Sequence, residues 1–309
     1  MTYVEILKRG GRQYYYLTKN VRVGQNKWKK TRIYMGEKRP TAAQIAKAAQ
    51  EAEQNAPKVS PFSYLAIDDV EVLEDLKESY MQWLKRTPES LKKKLNEDFM
   101  IRFTYHSNAI EGNRLTLRET ALILKDKVIP SGVRAQDYNE AINGREALDY
   151  LKKYKGELNT AFLEKINGIL TKNTDVVYGG RIRFFDVKIE GSTHAPPPHA
   201  EVKKHLLNLF KWYSANKNKL HPFELATIIH HKLAWIHPFE DGNGRTARAI
   251  MNWLLMKKKY PMFFIPVEKR QKYYETLELA DHNDDKQYVS NMLRLIIDQI
   301  KEYTKQETV

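Results

Sequence analysis

Residues 237–248 read His-Pro-Phe-Glu-Asp-Gly-Asn-Gly-Arg-Thr-Ala-Arg. His237 carries an imidazole, the side chain that exchanges a proton near neutral pH and so serves as a general base. Asp241 offers the hard carboxylate oxygens that Mg²⁺ takes together with phosphate oxygens. Gly242-Asn243-Gly244 lies between two apolar, helix-like runs, so its backbone opens the second of them. The free N–H groups of a helix N-terminus attract anions. Flanking glycines let a ligand approach the backbone and make an anion-binding concavity. Arg245 and Arg248, three apart, fall on neighbouring positions of one helical face. Base, acid, turn and cationic pair together suit a polyphosphate. The plain alternative is a helix–turn–helix joint with an incidental histidine.

This stretch resembles the Fic family signature, His-Pro-Phe-x-Asp/Glu-Gly-Asn-Gly-Arg-x-x-Arg, at every specified position. The resemblance implies transfer of AMP from ATP to a hydroxyl side chain of a target protein, with Mg²⁺ at Asp241. In those terms His237 is the base, and Gly242, Asn243 and Gly244 cradle the phosphates. Arg245 and Arg248 hold the β- and γ-phosphates as planar forks. Glu240 falls at a variable position and receives no role.

A second stretch, Ser107-Asn-Ala-Ile-Glu111-Gly112-Asn113, resembles the family's inhibitory motif. The implied contact runs from Glu111 to Arg248, where a carboxylate would occupy the place of the γ-phosphate. On the residues alone, Glu111-Gly112-Asn113 is a helix end with glycine as the left-handed cap. The same glutamate positioning a water would favour the reverse reaction, removal of AMP, so direction stays open. Arg181–Pro198 occupies the place of the family's β-hairpin flap, to which an extended target segment would pair by strand addition. Segments 221–226 and 270–280 resemble those flanking the signature in the animal endoplasmic-reticulum branch. They imply that Tyr274 faces the adenine, while Asp281 stands where an asparagine is expected. Dimers are common in the family, so a homodimer is one expectation. A Fic-type kinase is disfavoured, since those carry lysine at the position of Gly244.

The 309 residues are 42% hydrophobic and 29% charged, the balance of a globular chain. No apolar run reaches about 18 residues, so no membrane helix is expected. The N-terminus lacks a signal-peptide pattern. Without cysteine there are no disulfides or thiolate metal sites. These features lead to the expectation of a cytoplasmic protein without a membrane partner. The net charge of +14 is uneven: residues 1–50 hold twelve Lys/Arg and two acids, 12 − 2 = +10, leaving 14 − 10 = +4 for the rest. That asymmetry points to an acidic partner or nucleic acid at residues 1–50, against the plainer reading of a basic solvated face. Tyr14-Tyr15-Tyr16 and Trp28 among these cations suit base stacking, although strand aromatics are more often core. A nucleic-acid-binding regulatory protein is therefore the contrasting functional class.

The fold expected is mainly α: an all-helical core with a short β-hairpin flap, plus a small N-terminal antiparallel β meander. Tyr3–Leu7, Gln13–Leu17 and Thr31–Met35 read as strands separated by turns at Gly10-Gly11 and Gly24-Gln25-Asn26. Thr41 caps a helix through about Gln54. Pro57 and Pro61 mark a linker. Helical spacing covers 70–85, 89–110, 136–154, 160–171, 199–216, 222–235, 243–258, 267–280 and 285–303. Thr116–Glu119 is a capping box. The expected organisation is 1–56 as accessory meander and helix, 57–94 as linker and helices, and 95–309 as the Fic domain. Within that domain lie the inhibitory helix (about 98–112), the flap (about 181–198) and the loop 237–248. Phe239 should anchor the loop in the core. His230 and His231 read as packed helix residues, and His194 and His199 as loop histidines.

Overall fold

The computed structural model describes residues 2–9, 12–24, 27–54, 62–189 and 191–305. The turns expected at Gly10-Gly11 and Gln25-Asn26, and the linker prolines Pro57 and Pro61, lie outside these residues. The chain divides into two compact units, Met1–Val70 and Glu71–Val309.

The first unit begins with an antiparallel sheet in the order β1-β2-β3, built from Thr2–Arg9, Arg12–Gly24 and Lys27–Gly36. The register brings Val4, Leu17 and Ile33 side by side, and Ile6 beside Tyr15. Alternation along each strand therefore gathers Val4, Ile6, Tyr15, Leu17 and Ile33 on one face. Leu17 and Tyr15 are buried there. Helix α1 (Ala42–Gln54) packs on β2. It starts in a reciprocal cap: Gln44 N donates to Thr41 Oγ1 at 3.3 Å, and Thr41 N to Gln44 Oε1 at 2.9 Å.

The division between units falls within α2 (Ile67–Arg86). After it come α3 (Glu89–Ile110), α4 (Leu117–Ala121), α5 (Ala135–Lys153), α6 (Thr160–Leu170) and α7 (His199–Asn216). Four more complete the chain: α8 (Pro222–Ile236), α9 (Asn243–Lys257), α10 (Arg270–Asp281) and α11 (Asp285–Lys305). Three of them, α4, α6 and α8, start on side chains that satisfy first-turn N–H groups. Thr116 and Glu119 form the expected box, and Asn159 accepts from Phe162 N at 2.9 Å. His221 accepts from Phe223 N at 3.2 Å, with Pro222 at the first helical position. Helices α8 and α9 pack on each other at the centre; α3, α5 and α6 pack on α9, and α7, α10 and α11 on α8. Helix α9 is buried nearly all round, through Ala247, Ile250, Trp253 and Leu255. A single π-helical turn, Leu122–Asp126, follows α4.

The flap differs from expectation. Residues 181–189 and 191–198 form no strand ladder among the described residues. Several of their backbone groups pair instead with the Arg183 side chain, with the signature loop and within local turns. Arg183 donates to its own segment's carbonyls, Nη1 to Phe185 O at 3.1 Å and Nη2 to Pro197 O at 2.5 Å. Its backbone N–H goes to Pro238 O at 2.9 Å. Three prolines at 196–198 remove further donors.

Candidate active site

The loop between α8 and α9 is fixed by side chains that answer its backbone. His237 ends α8 in the left-handed region (φ 49°), which turns the chain sharply out of the helix. Phe239 is buried beneath the loop, as expected. Asn243 clamps Phe239 from both sides: Phe239 N donates to Asn243 Oδ1 and Asn243 Nδ2 to Phe239 O, each at 2.9 Å. Its amide is thus spent within the loop, and only its backbone is left for a ligand. Gly242 (φ 74°) is the cap that launches α9. From α6, Asn167 Nδ2 donates to Asp241 O at 2.8 Å.

Arg248, one turn into α9 and 2% exposed at its side chain, carries a full set of acceptors. Nη2 donates to Glu111 Oε1 and to Ser107 O, both at 2.7 Å. Nε reaches Ser107 Oγ at 3.1 Å and Nη1 reaches Tyr273 Oη at 3.5 Å. The two residues of α3 singled out by sequence are therefore brought onto the signature arginine. Glu111 caps α3, and Gly112 follows with φ 94°. Burial opposes the charge of Glu111, but the attraction and hydrogen bond of Arg248, aided by Arg245 and His237, hold its carboxyl below the ordinary value. The carboxylate lies against Gly244: a Cβ there would collide with Glu111 Oε1 and stand 3.0 Å from Arg248 Nη1. Glycine is needed at 244 for this close approach.

Behind Arg248 runs a buried chain of hydrogen bonds. Tyr273 Oη lies 2.9 Å from His230 Nε2, His230 Nδ1 lies 2.9 Å from Tyr288 Oη, and Tyr288 donates to Thr227 O at 2.9 Å. The terminal carbonyl only accepts, so the donors point one way from Arg248 to Thr227 and His230 is neutral. Burial, with Arg248 nearby, pushes the His230 imidazole down to about 3. His230 packs in α8 as expected. His231 bonds Asp281, Nε2 to Oδ1 at 2.7 Å.

Arg245, also 3% exposed, has a different setting. Nη2 donates to Asp241 Oδ2 at 3.0 Å, and Nη1 lies 3.1 Å from Glu140 Oε1 of α5. The latter contact is a charge pair without hydrogen-bond alignment, so Nη1 and Nε are buried nitrogens lacking an acceptor. Asp241 itself is 55% exposed at its side chain.

The His237 ring presents a base. Its Nδ1 is 3.3 Å from Ala234 O, an acceptor only, so Nδ1 carries the proton and Nε2 the lone pair. Burial pushes the imidazole down to about 4, against the opposing pull of the Ala234 carbonyl and Glu111. Arg183 Nε donates to His237 O at 2.8 Å, tying the flap segment to the base. Tyr274, from α10, donates to Ile110 O at 3.1 Å, beside Glu111. His194 lies in a loop with Nε2 2.9 Å from Trp235 O, while His199 opens α7 and donates its backbone N–H to Asp186 at 2.7 Å. A polar cleft of about 220 Å³ lies between the flap and α10, lined by His194, Trp235, Glu278, Asp281 and His282.

Four residues of the site escaped sequence reasoning. Arg183 was one cation in an apparent hairpin, and Glu140 one acid on an amphipathic helix. Asn167 stands alone in α6, and Glu240, given no role, accepts from Tyr178 N at 2.7 Å. Only the signature could have directed attention to Glu140, because a buried arginine requires a carboxylate from elsewhere in the chain.

Known proteins resemble this chain through the same region. Residues 157–255 match the family model described as Fic/DOC family. A protein adenylyltransferase Fic from Nematostella vectensis is 34% identical over 217 residues, 66% of this chain and 49% of the relative. The Drosophila melanogaster protein of the same name is 34% identical over 189 residues, 60% of this chain and 38% of its own. This chain thus spans about half or less of the length of these curated relatives. Among solved structures, a Fic domain containing signaling protein from Bacteroides thetaiotaomicron superposes with TM-score 0.69 at 27% identity, covering 76% of this chain and 96% of its own. Fic-1 from C. elegans gives 0.67 at 25% identity, covering 86% and 76%. Residues 157–255, which hold this loop, form a domain of the Fic/DOC family.

Proposed function

We propose that this chain is a protein adenylyltransferase held in a restrained state by its own Glu111. The observation that carries the reading is the double claim on Arg248. The guanidinium stands one turn inside a glycine-launched helix N-terminus, where a phosphate is favoured, and a carboxylate already fills the space against Gly244. ATP bound in the cradle needs that space for its terminal phosphate, and two anions cannot share one guanidinium without mutual repulsion.

The chemistry follows from the placement of groups. His237 Nε2 takes the proton of a target hydroxyl. The hydroxyl oxygen bonds to the α-phosphorus as the bond to the bridging oxygen of the β-phosphate breaks, and pyrophosphate leaves. The N–H groups opening α9, with Arg245 and Arg248 behind them, stabilise the departing charge. Asp241 fits Mg²⁺: it is exposed, one oxygen is steadied by Arg245, and the other is free for a cation shared with phosphates. When bound, Mg²⁺ would neutralise charge on the phosphate oxygens. Tyr274 and the cleft at Asp281 flank the place for the base, and the segment tied down by Arg183 is where a target would dock.

The test is mass spectrometry of the Glu111→Gly protein incubated with ATP and Mg²⁺. Adenylylated protein, at a rate above wild type, is the expected result. Equal labelling of wild type and variant would remove the restraint. No labelling, together with loss of phosphodiester hydrolysis on an AMP-modified protein, would reverse the direction and make Glu111 the residue that positions water.

A further inference from the structure

One face of the N-terminal sheet has no part in the transfer chemistry. The register places on it Tyr3, Glu5 and Leu7 from β1, Tyr14, Tyr16 and Thr18 from β2, and Lys30, Arg32 and Tyr34 from β3. The opposite face carries Val4, Ile6, Tyr15, Leu17 and Ile33; Tyr15 and Leu17 are its buried centre, and Ile6 and Ile33 lie at its exposed margin. The tyrosines of the first face are thus not needed as core. Tyr34 is 53% exposed and Tyr3 42%. Soluble surfaces ordinarily carry few large aromatics together, and such a group rimmed by charge marks a contact site.

Cations are set among these rings in fixed positions. Glu5 accepts from Arg32 Nε at 2.7 Å and Nη2 at 3.0 Å, from Lys30 at 3.0 Å, and from Thr18 at 3.0 Å. Those bonds hold the Glu5 carboxyl down at about 2, so the brace is ionised wherever the protein is folded. Lys30 Nζ lies 5.8 Å from the Tyr3 ring centre, and Tyr34 lies 5.3 Å from Tyr16 and 6.3 Å from Tyr14. The acid is a single one, while residues 1–50 carry twelve Lys/Arg against two acids.

We propose that this face binds single-stranded nucleic acid. Bases stack on Tyr3, Tyr16 and Tyr34, and Lys30, Arg32 and the surrounding cations meet the phosphates. The charge balance demands a polyanion. The rings demand one with exposed flat faces, which a polyphosphate lacks and a duplex hides within its own stack. Cross-strand neighbours about 5 Å apart and same-strand neighbours about 7 Å apart give successive bases separate rings. Stacking of this kind tolerates sequence, so no base readout is needed.

The test is fluorescence anisotropy of the full chain with a labelled 20-nucleotide single strand, the same sequence as duplex, and inorganic polyphosphate as competitor. Single strands should bind, with affinity falling as salt rises, and duplex and polyphosphate should bind more weakly. Tyr34→Ala and Tyr3→Ala should each weaken binding roughly 5- to 150-fold, and Tyr34→Phe should retain it. Arg32→Ala should flatten the salt dependence. If alanine at 34 unfolds the sheet, Tyr34→Leu replaces it, keeping apolar area without a ring. Wild-type affinity in the folded Tyr3 and Tyr34 variants, or a duplex or polyphosphate bound as tightly as the single strand, would overturn the proposal.

Discussion

The first turns of α9 and the N-terminal sheet both offer arginines beside carboxylates, but in opposite surroundings. Arg248 and Arg245 are 2% and 3% exposed, within a shell of Ser107, Glu111, Tyr273, Asp241 and Glu140. Arg32 and Lys30, 44% and 40% exposed at their side chains, hold a half-buried Glu5 at the sheet surface. An ion pair inside a protein must balance a large desolvation cost, so removal of one partner strands the other. An exposed pair gains little and loses little. The two regions therefore have different uses. The buried set can be a switch, because each partner's position depends on the others. The open set can be a platform, because its groups remain available to a ligand.

The largest effects should come from the buried region. His237→Ala, made in the Glu111→Gly background, should lower transfer from α-labelled ATP about 10²- to 10⁴-fold while ATP binding persists. Labelling within tenfold of the parent would mean the proton leaves by another route. Arg248→Ala should cost about 3 kcal/mol or more in urea unfolding, since it takes the donor from Ser107, Tyr273 and Glu111 at once and opens a cavity beside Tyr273. Arg32→Ala should shift the unfolding midpoint far less. Equal shifts for the two arginines would break the contrast between the regions.

The sequence made these regions legible to different depths. Helix starts could be read because the signals are local: Thr41 before α1, Thr116 with Glu119, and Gly242 before α9. The contact of α3 with Arg248 could be read because Ser107 and Glu111, one turn apart, form a recognisable motif. What binds the site from afar could not. Arg183 is 54 residues from His237, and Glu140 is 105 residues before Arg245; nothing in local spacing says they meet. The hairpin expectation failed for the same reason. The alternation at 181–189 suits a strand, yet Arg183 takes the carbonyls that a ladder would have used. The meander was read correctly because its strands are consecutive and pair in sequence order. Which of its faces is core follows only from the register.

Acid should sharpen the comparison at intermediate scale. His237 and His230 are neutral in the folded protein, with imidazoles at about 4 and about 3. Their folded values lie below the unfolded one near 6.5, so the unfolded chain binds protons that the folded chain refuses. Stability is therefore intact above pH 6.5 and falls as pH drops toward 4 and then 3, by about 2 kcal/mol per histidine at pH 5. All nine histidines lie beyond residue 100, so this loss belongs to the second unit. Glu5, at about 2, keeps the sheet's brace ionised through the same window. Tryptophan fluorescence and strand-region infrared absorption, followed from pH 7 to 4, should separate a sensitive helical unit from an indifferent sheet. Simultaneous loss of both would show that the units do not respond separately. The transfer reaction should keep its base form down to about pH 5, rather than failing near 6.5.

The smallest effect tests the platform itself. Glu5→Gln removes the anion that Lys30 and Arg32 share but keeps a hydrogen-bond acceptor of the same size. If the pair contributes as exposed pairs do, the unfolding midpoint should hardly change in low salt, and the remaining difference should vanish by about 1 M salt, where screening acts within about 3 Å. Glu140→Gln offers the matched measurement in the buried region. There the carboxylate faces Arg245 at 3.1 Å with its side chain 8% exposed, and an amide leaves a charge with two unanswered nitrogens. That variant should be clearly destabilised, and salt should not abolish the difference. A salt-insensitive loss at Glu5, matching that at Glu140, would mean that the sheet's ion pairs hold the fold together rather than presenting cations to a ligand.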